Sequence, residues 1–414
     1  MEQQMCFGKA DILLPDFIGD AEACRKWAVI ACDQFTGEPE YWEKVGQIVG
    51  AAPSTLRMIL PEAFLGGDNT ARLSAIAEAM RDYRKNLLRT YRNALIYVRR
   101  TQSDGKVRRG IVGAVDLERY DYAVGSTSPV RATEGTVLER IPPRVAVRRA
   151  ATLEAPHVML LADDPADTVI GALEAAYKSL PKLYDFDLML GGGRLEGYLI
   201  ADAAADAVLD RMRALFAGNG SSLKLAVGDG NHSLASAKAR YEEVKARIGE
   251  EAARQDPLRY ALCEVVNLHD DALEFEPIYR LVKTDAPEAL IDALRAFGAS
   301  CAPGAQTVEC VGARQCFRIP LGAGTHTLTV GTLQRFLDDY AAAHPGVTVD
   351  YIHGRESLMR LAAAPGHVGF LFDGMGKEEL FPAVARCGAL PRKTFSMGHA
   401  EDKRYYMECR EIAR

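Results

Sequence analysis

Short strand-like segments alternate with longer helix-like segments along most of this 414-residue sequence. Residues 223–227 and 260–267 are short apolar runs of the kind that form buried strands. Residues 202–217 instead repeat apolar side chains at helical spacing, and Gly218 is suited to end that helix. The alternation predicts an α+β or mixed α/β fold.

The length of the chain and a change in its pattern predict more than one region. At about 150 residues per domain, a chain of this length corresponds to two or three domains. The order of the predicted elements changes near residues 284–288. We therefore predict an N-terminal α/β region of residues 1–285 and a C-terminal α/β region of residues 286–414. The sequence leaves open a sheet that both regions share.

Turn residues predict several local features. Residues 94–99 and 107–117 are predicted to form a hairpin, because the segment between them carries Ser-Asp-Gly. Residues 188–200 predict a second hairpin, with its turn at a run of three glycines. The apolar run at 27–32 predicts a strand that ends in a loop. Residues 131–150 are rich in Arg and contain two adjacent prolines, so they are expected to be irregular or partly helical.

Composition and charge exclude several classes of protein. A hydrophobic fraction of 48% excludes a disordered chain, and a net charge of −6 argues against a broad nucleic-acid surface. No apolar run approaches the roughly 18 residues of a membrane span, and the N-terminus lacks the features of a signal peptide. The nine cysteines form no C-x-x-C pair. We therefore expect reduced thiols in a cytoplasmic protein, without a membrane or a structural zinc site.

The segment Gly228-Asp-Gly-Asn-His-Ser233 lies between a predicted strand and a predicted helix. Glycine allows a sharp turn and a close backbone approach, and the first turn of a helix favours an anion such as phosphate. The carboxylate of Asp229 would repel a phosphate. It suits the same place if it binds Mg²⁺ or accepts a proton from a substrate hydroxyl.

The same segment also has a purely structural interpretation. Ser233 or Asn231 would cap the helix, and Asp229 would stabilise the turn through its side chain. Residue types alone do not separate the two interpretations. The segment matches neither the phosphate-loop pattern nor the dinucleotide pattern, in which a glycine stands at the place of Ser233.

Other polar residues are candidates that residue types alone leave ambiguous. The arginine-rich stretch that begins at Arg131 suits phosphate, but it also fits a solvated surface with Glu134 as one of its partners. His269 follows a predicted strand and either lines a pocket or makes a structural hydrogen bond. Lys393 lies in a tail segment beside two hydroxyl residues. Cys32, before Asp33, is a candidate nucleophile that lacks an identified helper.

Several motifs together resemble the domain-of-unknown-function 1015 family over essentially the whole chain. They are Trp-Ala-Val-Ile-Ala-Cys-Asp-Gln-Phe-Thr at 27–36, Glu-Pro-Glu-Tyr-Trp at 38–42, Gly-Asp-Gly-Asn-His-Ser at 228–233, Val-Val-Asn-Leu-His-Asp at 265–270, and Leu-Pro-Arg-Lys-Thr-Phe-Ser at 390–396. The usual D-G-H-H-R loop of that family is similar to a loop of the ParB and sulfiredoxin superfamily. In this chain Asn231 stands in place of the first His, and Ser233 in place of the Arg.

The resemblance implies a ParB/sulfiredoxin-like nucleotide-binding core with additional α/β regions. It also implies a relation to kinases that act on free serine. It therefore favours ATP-dependent phosphoryl transfer to a small hydroxylated metabolite, such as the free amino acid serine, with Mg²⁺ as the metal. A non-catalytic nucleotide-binding regulator with a ParB-like switch is the alternative, and a scaffold that binds no nucleotide is the third possibility.

The kinase hypothesis assigns a role to each candidate residue. The catalytic residues would be Asp229, His232 and Glu134, with Asp229 also holding the metal. The nucleotide would be bound by Gly228, Gly230, Asn231, Ser233, Arg131 and Lys393. His269 and Asp33 would contact the substrate. The expected partners are a nucleotide and a small-molecule substrate; nucleic acid is not expected, and a homodimer is left open.

Overall fold

The computed structural model describes residues 5–65, 68–312 and 316–413. The chain divides into two compact units. The first comprises Met1–Leu273 and His399–Arg414, and the second comprises Glu274–Gly398. These units are not the two predicted regions, since the second unit begins before residue 286 and the chain from His399 belongs to the first. That residues 1–285 and 286–414 form separate regions stays a prediction.

The strands are, in chain order, β1 (Phe7–Gly8), β2 (Ala10–Pro15), β3 (Leu88–Thr101), β4 (Val107–Asp116), β5 (Tyr120–Asp121), β6 (Val130–Ala132), β7 (Leu153–Glu154), β8 (Met159–Ala162), β9 (Lys182–Asp187), β10 (Arg194–Ile200), β11 (Leu225–Asp229), β12 (Tyr260–Asn267), β13 (Phe275–Lys283), β14 (Gln306–Val311), β15 (Cys316–Gly322), β16 (Thr348–His353), β17 (His367–Leu371), β18 (Phe395–Met397) and β19 (Arg410–Glu411). The helices are α1 (Ala21–Trp27), α2 (Pro39–Val49), α3 (Thr70–Asn86), α4 (Ile141–Ala150), α5 (Ile170–Ala176), α6 (Asp202–Gly218), α7 (Asn231–Ile248), α8 (Glu250–Ala253), α9 (Pro287–Ser300), α10 (Thr329–Ala343), α11 (Arg355–Ala362) and α12 (Lys377–Cys387). The predicted mixed α/β fold is confirmed.

A large mixed sheet forms the core of the first unit. Its strand order is β5-β6-β11-β8-β12-β4-β3-β10-β9, with β1 paired to β4 and β2 paired to β3. Strand β11 is parallel to β6 and antiparallel to β8, while β12 is parallel to β8. The β3–β4 pair is antiparallel, which confirms the first predicted hairpin. The β9–β10 pair is also antiparallel and turns at the three glycines, but its first strand, Lys182–Asp187, ends before the predicted residues 188–200 begin.

Apolar side chains cover both faces of this sheet. Along β3, Leu95 and Tyr97 belong to one buried cluster, while Ile96 and Val98 belong to another. Successive side chains of a strand point to opposite faces, so the alternation places one cluster on each face. A strand with both faces buried is apolar at consecutive positions of the sequence. This explains why the apolar run at 223–227 predicted a strand where β11 lies.

The second unit has its own sheet, with the strand order β15-β14-β17-β13-β16 and β18 paired to β13. Helices α9 to α12 belong to this unit. Across the described ranges of both units, no helix is long and apolar enough to cross a membrane.

The predicted strand at 27–32 is not a strand of either sheet. Helix α1 extends to Trp27, and its first turn is capped by Asp20, whose carboxylate accepts hydrogen bonds from two main-chain N–H groups. Beyond the helix, the extended chain hydrogen-bonds to the C-terminal segment: Tyr406 N donates to Val29 O, and Ala31 N donates to Arg404 O. An apolar run of this length does not distinguish a strand from other buried backbone.

Candidate functional site

The loop singled out in the sequence turns sharply from β11 into α7. The pairing of β11 with β8 shifts register between Val227 and Asp229, as in a β-bulge. Gly230 then adopts a left-handed conformation with φ 82° and ψ 28°, and α7 begins at the next residue. A Cβ atom at Gly230 would lie 3.0 Å from Cγ2 of Val158. Glycine is therefore required both by the backbone conformation and by the lack of space.

The structural capping interpretation does not describe this helix end. Gly230 occupies the cap position, so no cap side chain reaches the first-turn N–H groups of α7. Asn231 instead accepts a hydrogen bond from Thr133 N at 3.3 Å. The hydroxyl of Ser233 lies 3.3 Å from Nε2 of His157. The first turn of α7 is thus the type of helix N-terminus that binds anions.

Asp229 presents one carboxylate oxygen that has no hydrogen-bond partner among the residues that the structure describes. Its Oδ1 accepts a hydrogen bond from Gly230 N at 3.1 Å. Its Oδ2 is buried and accepts no hydrogen bond from the described part of the chain. The closest cation is Nζ of Lys403, 3.7 Å from that oxygen, and both side chains are largely buried. A buried polar atom without a partner is rare and is expected to have a role or a bound ligand.

A buried histidine lies on the other side of this loop. His157 stands just before β8, and its Nδ1 is 2.8 Å from the Tyr406 hydroxyl. Its Nε2 is 3.4 Å from Oδ2 of Asp33. The five residues Asp33, His157, Asp229, Ser233 and Lys403 form what we call the loop cluster.

The charged groups of the loop cluster shift one another's pKa values. Burial lowers the pKa of His157, but the Asp33 carboxylate, with smaller contributions from Asp229 and Glu62, raises it above its ordinary value. Burial raises the pKa of Asp33, but His157, the Gln34 amide and Lys403 bring it well below its usual range. Each group of the pair therefore favours the charged form of the other, the imidazolium of His157 and the carboxylate of Asp33.

The C-terminal segment of the first unit holds Lys403 in place. The next residue, Arg404, is buried and pairs with Glu264 at 2.7 Å and with Glu408 at 2.6 Å. Its Nη1 also donates a hydrogen bond to Pro156 O at 2.8 Å, next to His157. The Arg404 guanidinium thus links the segment that carries Lys403 to the segment that carries His157.

The structure brings together some of the predicted site residues. Gly228, Asp229, Gly230, Asn231, His232 and Ser233 share the loop, and Asp33 joins them through His157. The Nε2 atom of His232 accepts a hydrogen bond from Val137 N at 3.4 Å. Glu134 is half-buried, just beyond the end of β6.

Two other predicted residues of the first unit, Arg131 and His269, point away from the loop cluster. Arg131 is buried and donates to Ser128 O at 2.7 Å and to the Ser222 hydroxyl, toward the starts of β6 and β11 rather than their ends. Nε2 of His269 is 2.7 Å from Asp163, beyond the end of β8 that is opposite to His157. Lys393 belongs to the second unit and is exposed. Within the first unit, the loop cluster therefore forms without the side chains of Arg131 and His269.

Two members of the loop cluster, His157 and Lys403, were missed in the sequence. His157 begins a short run whose other residues, 158–161, are all apolar, and it offered a weak signal, because a polar residue at the end of such a run often faces a pocket. Lys403 had no such signal, since its neighbours form no periodic pattern. The described residues contain no group of three or more His, Cys, Asp or Glu side chains that could hold a metal ion.

Comparisons with known proteins give one family and several distant structures. A family model described as "Protein of unknown function (DUF1015)" matches residues 19–411. No curated protein sequence matches the chain. A free serine kinase in complex with AMP is similar at 13% identity and a TM-score of 0.38, covering 70% of this chain and 92% of that chain.

Two further solved structures are similarly distant. A conserved hypothetical protein from Pyrococcus furiosus has 12% identity and a TM-score of 0.36, covering 71% of this chain and 95% of its own. SbnI with a C-terminal truncation, from Staphylococcus aureus, has 10% identity and a TM-score of 0.35, covering 69% of this chain and 82% of its own. TM-scores at this level do not establish a shared fold or activity, and a ParB/sulfiredoxin-like core stays a prediction.

Proposed function

The chain belongs to the family described as "Protein of unknown function (DUF1015)", and we propose that it transfers a phosphoryl group from a nucleotide such as ATP to a small metabolite. The acceptor is a hydroxyl group, as in a free amino acid such as serine. One observation carries the proposal: a carboxylate oxygen of Asp229 that accepts no hydrogen bond from the described residues lies 3.7 Å from the Lys403 ammonium, directly before the N-terminus of α7.

Phosphoryl transfer requires positioning and charge neutralisation more than covalent chemistry. The first-turn N–H groups of α7 supply a place for phosphate oxygens, because they point out of the helix and the helix dipole favours negative charge there. Lys403 supplies a positive charge next to this place, and His157 supplies a second when it is protonated. This arrangement suits the spread negative charge of a transferring phosphoryl group.

Asp229 is the proposed acceptor of the hydroxyl proton. In the step, the hydroxyl oxygen of the acceptor forms a bond to the terminal phosphorus, and the bond from that phosphorus to the leaving nucleoside diphosphate oxygen breaks. The hydroxyl proton passes to the Asp229 carboxylate. The products are a phosphomonoester and the nucleoside diphosphate, so atoms and charge balance.

The donor set at the loop also fits a magnesium ion. In nucleotide sites, Mg²⁺ typically binds one or two carboxylates together with phosphate oxygens and waters, so a full protein cage is not required. Oδ2 of Asp229 is the oxygen that would hold it, which leaves Oδ1 to accept the hydroxyl proton. When bound, Mg²⁺ neutralises phosphate charge.

Asp33 completes the proposed site. Its side chain is 27% exposed, so it pairs with His157 while one edge stays accessible to a substrate amino group. His232 and the main chain of Gly228 to Ser233 are proposed to hold the nucleotide. Arg131, Glu134, His269 and Lys393 stay predictions and take no part in the step above. A homodimer and a cytoplasmic location also stay predictions.

The direct experiment follows phosphorus by NMR. The purified full chain is incubated with Mg²⁺ and ATP, with and without a pool of hydroxy amino acids. We expect a new phosphomonoester signal that requires both the protein and the pool. Nucleotide binding without any new signal would overturn the proposal in favour of the regulator, and absence of nucleotide binding would favour the scaffold.

A further inference from the structure

A mostly apolar cavity of about 130 Å³ lies against the loop cluster within the first unit. Ser233 and His157 form part of its wall. Its apolar wall includes Met58, Leu60, Met80, Val147, Leu153 and Leu234. The cavity therefore begins where the proposed chemistry takes place and extends away from it into an apolar environment.

The size of the cavity limits what it holds. A cavity of about 150 Å³ lined by apolar side chains binds a single benzene ring. The present cavity is slightly smaller, so it suits a group of about six heavy atoms and not the two fused rings of a purine. The hydroxymethyl side chain of serine would leave most of it unfilled.

Charged groups at the wall favour an anionic ligand. Glu154 at the wall is buried and pairs with Arg148, also at the wall, at 2.6 Å and with Arg410, which is not part of the wall, at 2.8 Å, so this trio carries one excess positive charge. The Nε atom of Arg148 is buried and has no hydrogen-bond partner among the described residues. Glu62 and Arg144 form a neutral pair at the same wall. A carboxylate would satisfy the free N–H and the excess charge together.

We propose that this cavity binds a hydroxy carboxylate or hydroxy amino acid through an apolar substituent of about six carbon atoms, with the carboxylate at Arg148. The cavity then selects an apolar relative of serine over serine itself. That this ligand is the phosphoryl acceptor rests on the proposed function, whereas its binding does not.

Calorimetry with three matched compounds tests the ligand class. Phenylserine carries the hydroxyl, the carboxylate and a phenyl group; serine lacks the phenyl group, and phenylethanolamine lacks the carboxylate. We expect phenylserine to bind at least about tenfold more tightly than either, with or without Mg²⁺ and a non-hydrolysable ATP analogue. Serine or phenylethanolamine binding as tightly as phenylserine would overturn the proposal.

A variant that fills the cavity locates the binding. Val147 is partly exposed on α4, so Val147→Trp places a large ring at the wall without opening the core, and Val147→Phe is a milder version. Val124→Trp is the control, because Val124 is 73% exposed and lies outside the cavity wall. We expect both Val147 variants to weaken phenylserine binding at least about tenfold, and the control to leave it unchanged.

The outcomes separate this inference from the proposed function. Unchanged phenylserine binding in both Val147 variants would overturn the cavity as its site. Weakened AMP binding with unchanged phenylserine binding would assign the cavity to the nucleobase and likewise overturn the inference. Phenylserine that binds as expected, with no phosphomonoester formed from it or from the pool of hydroxy amino acids with Mg²⁺ and ATP, would overturn the proposed function and leave the ligand class standing.

Discussion

Gly230→Ala is expected to destabilise the first unit through two separate effects. A residue with a Cβ atom in the left-handed conformation costs about 1–2 kcal/mol. The new Cβ would also lie 3.0 Å from Cγ2 and 3.1 Å from Cα of Val158. Overpacking of this kind costs about 1–3 kcal/mol, so the free energy of unfolding should fall by about 2–5 kcal/mol in all.

Gly105→Ala is the matched control. Gly105 also has a positive φ, at 85°, but a Cβ atom there would meet nothing within 4 Å. Only the conformational effect of about 1–2 kcal/mol applies to it. Urea unfolding followed by tryptophan fluorescence measures both variants, because Trp27 and Trp42, the two tryptophans of the chain, lie buried in the first unit. Equal losses in the two variants would refute the close packing of the loop against Val158.

Three further predictions concern the charged groups around the loop. Lys403→Met should lower the kcat of phosphoryl transfer at least about tenfold. Lys245→Met, at the far end of α7, is the control and should leave kcat unchanged. Equal kcat values in the two variants would contradict the role of Lys403. The contribution of His157 to the free energy of unfolding should be complete below its ordinary pKa of 6.5 and lost as the pH rises through its raised pKa. The contribution of Asp33 should be complete above its ordinary pKa of 3.8 and lost as the pH falls through its lowered pKa. Urea unfolding of wild type and His157→Gln across pH 5–9 checks this, and parallel curves above pH 6.5 would contradict it. Arg404→Met should lower the free energy of unfolding by about 3–5 kcal/mol, because it leaves Glu264 and Glu408 buried without their cation, and a loss below about 1 kcal/mol would contradict that.

Local sequence signals identified the fold elements that depend on neighbouring residues. The β3–β4 hairpin was predictable because its turn residues and both apolar strands lie within one short stretch of chain. The loop from Gly228 to Ser233 was predictable because glycines between a strand and a helix have few structural alternatives. In both places, residues that are close together in the sequence determine the conformation of the backbone.

The same signals did not identify contacts made by distant parts of the chain. Lys403 reaches Asp229 because the segment from His399 belongs to the first unit rather than to the second, which precedes it. Arg131 lies beside the correct strand, yet its hydrogen bonds point to the opposite end of β11. Its neighbours in the sequence do not specify that direction, because it depends on which hydroxyls and carbonyls surround the side chain after packing.

The most direct test of the central claim compares phosphoryl transfer by wild type, Asp229→Asn and Asp210→Asn. Asp210 is an exposed aspartate on α6 that takes no part in the loop cluster. We predict that Asp229→Asn lowers the rate of phosphomonoester formation at least about hundredfold, because a general base contributes roughly that much, while the variant stays folded. Asp210→Asn should retain the wild-type rate. Near-normal turnover by Asp229→Asn would contradict the account of the site.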